Sequence, residues 1–378
     1  MAKHRKKLTE LCDIQYGYAF DSGKFTEDEK CIPLVRIRDV KRGYSETFYC
    51  GEYPEEYVLH AGDLLVGMDG EFNIARWRSC DALLNQRVCK IVAKGNTDEE
   101  YLRFYLTKAL KEIEDKTSFA TVKHLSAKEL NKLELDVPEY SEQKKLSGSL
   151  RMAEHIIELR KRELEELDDL IKSRFVEMFG DPVINAKSWK TAQLSALIIN
   201  ANNGMARRGK DEDGNIVLRL VELQNGFIDY SAPNRICLNE TEKKRFELVD
   251  NDFLFARVNG NPDYVGRCAV FKSIDEPVFH NDHIIRVHFN ETKINGCFMS
   301  VLLNSDYGKR QMREQIKTSA GQYTISQDGI GAIMAILPPL ELQNQFEAFV
   351  HQIDKLKFLL IINQRIYTEG GNRFGNKF

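Results

Sequence analysis

Three groups of residues in this 378-residue chain have the types and spacing that chemistry requires. Residues 203–215 read NGMARRGKDEDGN, placing Gly204, Gly209 and Lys210 at the G-x-x-x-x-G-K spacing of a phosphate-cradling loop. Such a loop needs Ser or Thr after the lysine to ligate magnesium, and a helix N-terminus facing the phosphates. Here Asp211 follows, within an acidic turn sequence, so no nucleotide site is expected. The second group, His280 and His283 in HNDH, lacks a nearby cysteine or third histidine, and no metal is expected. The third is a dispersed set of basic, amide and aromatic side chains. In the first half it comprises Arg36, Arg38, Lys41, Arg42, Arg76, Arg78, Gln86, Arg87, Lys123 and His124. In the second it comprises Arg207, Arg208, Lys210, Arg219, Arg257, Asn259, Asn261, Tyr264, Arg267, Asn281, Gln322 and Tyr323. Singly, each is what a solvated surface provides. As a group they supply the donors that reach phosphates and base edges, and we read them as DNA-contacting residues.

A fourth pattern, NPDY at 261–264, approaches the N-P-P-Y tetrapeptide of amino-group DNA methyltransferases, with Asp263 in place of the second proline. S-adenosylmethionine would also need a glycine-rich loop after a strand. The G-x-G at Gly329 and Gly331 is matched in the other half by KELNKL, which has no glycine. No catalytic residue is therefore assigned.

The elements that must position these groups occur twice. PLVRIRDVKRGY (33–44) matches IVLRLVELQNGF (216–227), pairing Arg36 with Arg219, Gly43 with Gly226 and Tyr44 with Phe227. AGDLLVGMDG matches DNDFLFARVNG. LLNQRVCKIVA matches VFHNDHIIRVHF, pairing Asn85 with Asn281 and Lys90 with Arg286. At a constant offset, Ser126, Pro138 and Gln143 meet Ser326, Pro338 and Gln343. Four blocks in the same order indicate an internal duplication. Each half reads as short β-branched strands followed by helix, with helical spacing in 98–115 and across FMSVLLNSDYGKRQMREQI.

Each half ends in a proline and a long helical pattern. From Glu142 to Phe179 the seam runs Leu146, Leu150, Ala153, Ile157, Arg160, Leu164, Leu167, Ile171 and Met178, with Ser141 as N-cap and FGDP as the stop. After Pro338 it returns at Leu342, Phe346, Phe349, Ile353, Leu356, Leu360, Asn363 and Tyr367. The first helix would be roughly 55 Å long. Two such seams are natural partners, although two helices packed on separate cores would show similar patterns. The fold class is thus α+β: two similar mixed α/β domains, 1–139 and 182–338, separated by helices at 140–181 and 339–378 that pair as an antiparallel coiled coil.

Composition agrees with a folded protein of more than one domain, at 42% hydrophobic and 29% charged residues. The basic opening MAKHRKKLTEL has no apolar region after it, so no secretory signal or membrane span is expected. The eight cysteines match no zinc or disulfide framework and are read as reduced thiols of a cytoplasmic protein. The formal charge of −3 shows no bulk nucleic-acid footprint, but a groove needs only a local basic surface.

This arrangement resembles the specificity (S) subunit of a type I restriction-modification system. The resemblance rests on GYAFDSGKF, IPLVRIRDV, GDLLVGMDG, VPEYSEQKKL, the helix ending FVEMFGDP and the second-half LPPLELQNQF. It covers nearly the whole chain, departing where Glu139, Tyr140 and Ser141 replace a favoured Pro-Leu and where Leu342 replaces Glu. It implies two target-recognition domains, each reading one part of a split double-stranded DNA site, and an antiparallel helical spacer that fixes their separation. It also implies two modification subunits that carry S-adenosylmethionine, and restriction subunits that use ATP and Mg2+, with no cofactor in this chain. A stand-alone adenine DNA methyltransferase and a coiled-coil protein adaptor are the alternative readings.

Overall fold

The computed structural model describes residues 4–116, 124–319 and 321–375, with backbone alone beyond Ile362. It divides into two compact units, one formed by residues up to Arg160 with 363–378 and the other by Lys161–Ile362.

The first unit is organised by the strand Leu64–Gly67. Successive side chains of a strand point to opposite faces, and here both faces are apolar. Leu64 and Val66 enter one core with Leu102, Leu106 and Leu110 of the helix Glu99–Lys116. Leu65 enters another with Val35, Val40, Trp77 and Leu84. The strand therefore lies inside an antiparallel sheet ordered Cys12–Tyr16, Val88–Ala93, Leu64–Gly67, Asn73–Arg76. Over its second face lies a five-stranded sheet of short strands, in which Ile32–Val35 runs parallel to Ala82–Leu84.

The second unit repeats this plan. Phe253 and Phe255 enter one core and Leu254 and Ala256 another, from a strand inside the sheet Ile198–Asn203, Ile284–Phe289, Phe253–Ala256, Cys268–Val270. Asn215–Leu218 runs parallel to Val278–His280, as the equivalent strands do in the first unit. The duplication expected from the sequence is thus one topology used twice.

The long helices span Tyr140–Phe179 and Leu340–Gly375. Leu146, Leu150, Ala153 and Ile157 are half-buried in the first unit, as are Arg160 within that helix and Leu164, Leu167 and Met178 of the second. In the second unit Ile171, Phe175 and Phe179 are buried against Phe346, Val350 and Ile353. Asp168 meets Lys357, and Phe175 and Phe179 lie 5.6 and 5.5 Å from Phe346, so the two helices run antiparallel. Gly180, left-handed at φ +77°, ends the first helix by donating its N–H to the Val176 carbonyl.

Four expectations need correction. Ser141 is not the N-cap: the helix begins at Tyr140, and the Glu139 carbonyl accepts from the Glu142 and Gln143 N–H groups. Leu356 is half-exposed, because a 3.6-residue helix drifts off a strict heptad, and Lys357 covers the seam instead. Asn363 and Tyr367 lie outside the described side chains. FMSVLLNSDYGKRQMREQI forms two helices, Gly296–Asn304 and Asp306–Gln315, because Ser305 caps the second. Cys31 and Cys50 form a disulfide, with Cα atoms 5.3 Å apart. The pairing of Ile32 with Tyr49 brings these two flanking residues opposite each other. Of the free thiols, burial pushes Cys12, Cys89 and Cys297 up to about 12, so they are poor nucleophiles at neutral pH.

Gly204 donates its N–H to the Ile284 carbonyl, as Gly17 donates to that of Val88. A Cβ on Gly204 would lie 2.2 Å from the Asn281 carbonyl oxygen, and one on Gly17 2.0 Å from that of Asn85. Gly209, by contrast, faces only the Ile236 methyl at 3.7 Å. Residues 206–214 form a loop that enters the strand Asn215–Leu218, with no helix to face a phosphate. The phosphate-loop spacing is therefore a packing glycine followed by a turn. Gly204→Ala is expected to cost about 3 kcal/mol, and Gly209→Ala to stay within about 0.5 kcal/mol; urea unfolding of the two variants measures the contrast.

His280 is wholly buried, and desolvation pushes its imidazole down to about 4 despite a bond with the Phe246 carbonyl. The unfolded chain gains this proton below about pH 6.5, whereas the fold resists until about pH 4. Stability therefore falls as pH drops through that window, by about 3 kcal/mol from this group. The difference in unfolding free energy between wild type and His280→Asn, followed from pH 7 to pH 4, should shrink by that amount.

Candidate nucleic-acid interface

In each unit the same three segments converge where the central strand ends. In the first, the Met68 N–H donates to the Arg87 carbonyl, and the Leu125 N–H donates to the Met68 carbonyl. In the second, the Arg257 N–H donates to the His283 carbonyl and the Ile325 N–H to that of Arg257. A fourth segment, the early loop, joins through Tyr18 pairing with Asn85 and Met205 pairing with Asn281.

The side chains gathered there differ between the units. The first holds Asp69, Arg87 and His124: Arg87 lies 3.6 Å from Asp69 and 3.0 Å from the His124 ring, and His124 also contacts Asp69. Arg87 is left-handed at φ +70°, a conformation uncommon outside glycine, in an exposed tight turn. Gln86 is exposed beside it and donates its N–H to the Tyr18 carbonyl. The second unit holds Arg208, Arg257, Asp282 and His283. Arg208 meets the Asp282 carboxylate at 2.7 Å and His283 at 3.1 Å, while Arg257 donates to the Asp282 carbonyl at 3.1 Å. Both clusters are half-exposed and ordered by a carboxylate, and the second, with two arginines against one aspartate, is cationic, so their guanidinium forks are oriented before any ligand arrives.

The remaining candidates surround or support these centres. Arg36 and Arg219 are equivalent, donating backbone N–H groups to Asp39 and Glu222 at 2.9 and 2.7 Å. Both acids are buried, and Glu222 also grips the Arg219 guanidinium at 2.6 Å. Arg38 lies 3.6 Å from Asp39, while Lys41 and Arg42 form exposed pairs with Glu71 and Glu46, worth little in stability. Arg207 contacts Glu242 and the Cys237 carbonyl. Lys210 is exposed in the same loop.

Other candidates shape the fold around the clusters. Arg76 bridges its strand to the helix through Glu99 and Glu100, and Arg78 donates to the Lys41 and Arg42 carbonyls. Arg267 donates to Gln224 and covers the Tyr264 ring at 4.4 Å. Asn259 and Asn261 accept N–H groups within their own loop, and Asn281 is buried, accepting from His283. Tyr323 pairs with Asn259, with Gln322 exposed next to it. Lys123 lies outside the described residues. Sequence reasoning missed Asp69 and Asp282, and weighed His283 only as a metal ligand, which it rejected. Their signal was the duplicated asparagine, Asn85 and Asn281, which marks the same turn in both halves. Among the described residues no three metal-ligating side chains converge.

The methyltransferase-like NPDY is a surface turn in which Asp263 pairs with Arg313. Gly329 and Gly331 are buried in a short helix, where a Cβ on Gly331 would meet Ser195 at 3.2 Å. Neither forms a cofactor loop. Among the described residues no helix is long and apolar enough to cross a membrane.

Comparison with known proteins gives the family context of this fold. Residues 3–169 match the type I restriction modification DNA specificity domain. The chain is 28% identical over 379 residues to the specificity subunit of the type I restriction enzyme EcoBI of Escherichia coli, covering 92% of this chain and 78% of that one. It is 27% identical over 247 residues to the StySPI specificity subunit of Salmonella potsdam, covering 62% and 53%. The fold matches the crystal structure of a type I system S subunit from M. genitalium at a TM-score of 0.56 and 13% identity, covering 97% and 93%. It also matches a chain from a study of type I system assembly and conformational transition, at 0.52 and 12%, covering 99% and 95%. Residues 3–169 thus match a DNA specificity domain, and the chain as a whole is similar to the specificity subunits of type I restriction enzymes.

Proposed function

We propose that each unit reads one half of a bipartite double-stranded DNA site, with the paired helices setting the spacing between the halves. The observation that supports this most is the repetition of one loop junction with different side chains: Asp69, Arg87 and His124 in one unit, Arg208, Arg257, Asp282 and His283 in the other. Equal scaffolds with unequal clusters suit two unequal half-sites, as half-site geometry does for other paired readers. Arginine forks favour guanine edges and phosphates, and the surrounding Arg36, Lys41, Arg207, Lys210 and Arg219 supply phosphate contacts.

In this reading the long helices also dock two modification subunits, which carry S-adenosylmethionine, and through them restriction subunits that use ATP and Mg2+. The chain itself supplies no catalytic group and acts in the cytoplasm, where its DNA lies.

Methylation mapping in a host carrying this chain with its modification partner tests the proposal. A split, adenine-methylated motif is expected. Exchanging residues 1–139 for the equivalent region of another family member should change one half of that motif and keep the other. A contiguous motif, or a change in both halves, would overturn it.

A further inference from the structure

Two buried glutamines occupy equivalent places at the start of the long helices, and each uses its whole amide. The Gln143 side-chain carbonyl accepts the Asp98 N–H at 2.8 Å, and its NH2 donates to the Pro138 carbonyl at 2.9 Å and that of Asn96 at 3.4 Å. Gln343 accepts the Asn295 N–H at 2.9 Å and donates to the carbonyls of Pro338 at 2.8 Å and Lys293 at 3.2 Å. Their exposures are 2% and 0%.

The segments joined are the same in both units. Pro138 and Pro338 follow the strands Glu134–Val137 and Met334–Leu337. Asp98 and Asn295 cap the next helices of their units, accepting the Tyr101 and Phe298 N–H groups. One amide thus ties the last strand, the packed helix and the first turn of the long helix at a single point. An apolar residue of the same length would fill the space but leave the Asp98 or Asn295 N–H buried without a partner, which is costly. A glutamate would set a charge against two carbonyl oxygens.

We propose that Gln143 and Gln343 are positioning residues that fix the direction in which each long helix leaves its globular unit. Each acts through the helix and touches no DNA. Resting on the function proposed above, the consequence is that they set how strictly the protein discriminates the length of the spacer between half-sites. The duplicated three-way bond supports this, because a merely space-filling position would not need the same donors and acceptor in both halves.

The test uses the full chain bearing Gln143→Met, with Leu130→Ala as a control that opens the same unit's core while leaving every partner of the Gln143 amide in place. By hydrogen exchange, amides at residues 96–98 and 140–147 should exchange about tenfold faster in Gln143→Met while the sheet keeps its protection. In complexes reconstituted with the modification partner, preference for the native spacer over duplexes one base pair longer or shorter should fall about tenfold in Gln143→Met. Both half-sites should still be required, and Leu130→Ala should keep the preference. Unchanged exchange and preference in Gln143→Met, or equal relaxation in Leu130→Ala, would overturn the proposal. A wild-type complex indifferent to spacer length would refute the spacing function itself, while the exchange result still decides whether the anchor exists.

Discussion

A strand that is apolar on both faces has to be covered twice, and in each unit this requirement organises everything else. Leu64–Gly67 and Phe253–Ala256 send alternate side chains into two different cores. One face recruits the helix that follows the sheet, and the other recruits a second sheet whose parallel strands need a crossover. The return from that crossover passes the end of the central strand, where Asn85 and Asn281 close the turn and Gly17 and Gly204 let the early loop pack backbone to backbone. The polar junction is therefore a product of core formation, placed at a rigid scaffold's edge where side chains vary at little cost to stability.

This explains why the chemistry of the two units differs while the plan of their central sheets does not. The cores tolerate exchange of Leu for Phe at matched positions because the alternation is kept. The junction carries Asp69 with His124 in one copy and Asp282 with His283 in the other, drawn from different segments. On the proposed reading, a unit built this way would change specificity by loop substitution without rebuilding its fold.

The fold was legible where it rests on periodicity. The duplicated strands, the helix Glu99–Lys116, the two seams and the FGDP stop all follow from local pattern. It was illegible where a single side chain decides between continuations. Ser305 breaks one helical pattern into two by capping the second helix, and Lys357 takes a seam position that the heptad assigns to Leu356. The disulfide between Cys31 and Cys50 depends on strand register, which spacing does not reveal. The site was half legible. Arginines could be gathered by type, but only folding distinguishes Arg87 and Arg208, which face the junctions, from Arg76, which pins a helix to its sheet.

The central claim is that the two junctions are separate readers of separate half-sites. Binding of the complex to duplexes mutated at one half-site or the other, compared for Arg87→Ala and Arg208→Ala, tests it most directly. Each variant should lose sensitivity to base changes in one half-site while keeping full sensitivity in the other, and the two should affect opposite halves. Loss of sensitivity at the same half-site in both variants, or at neither, would contradict the account.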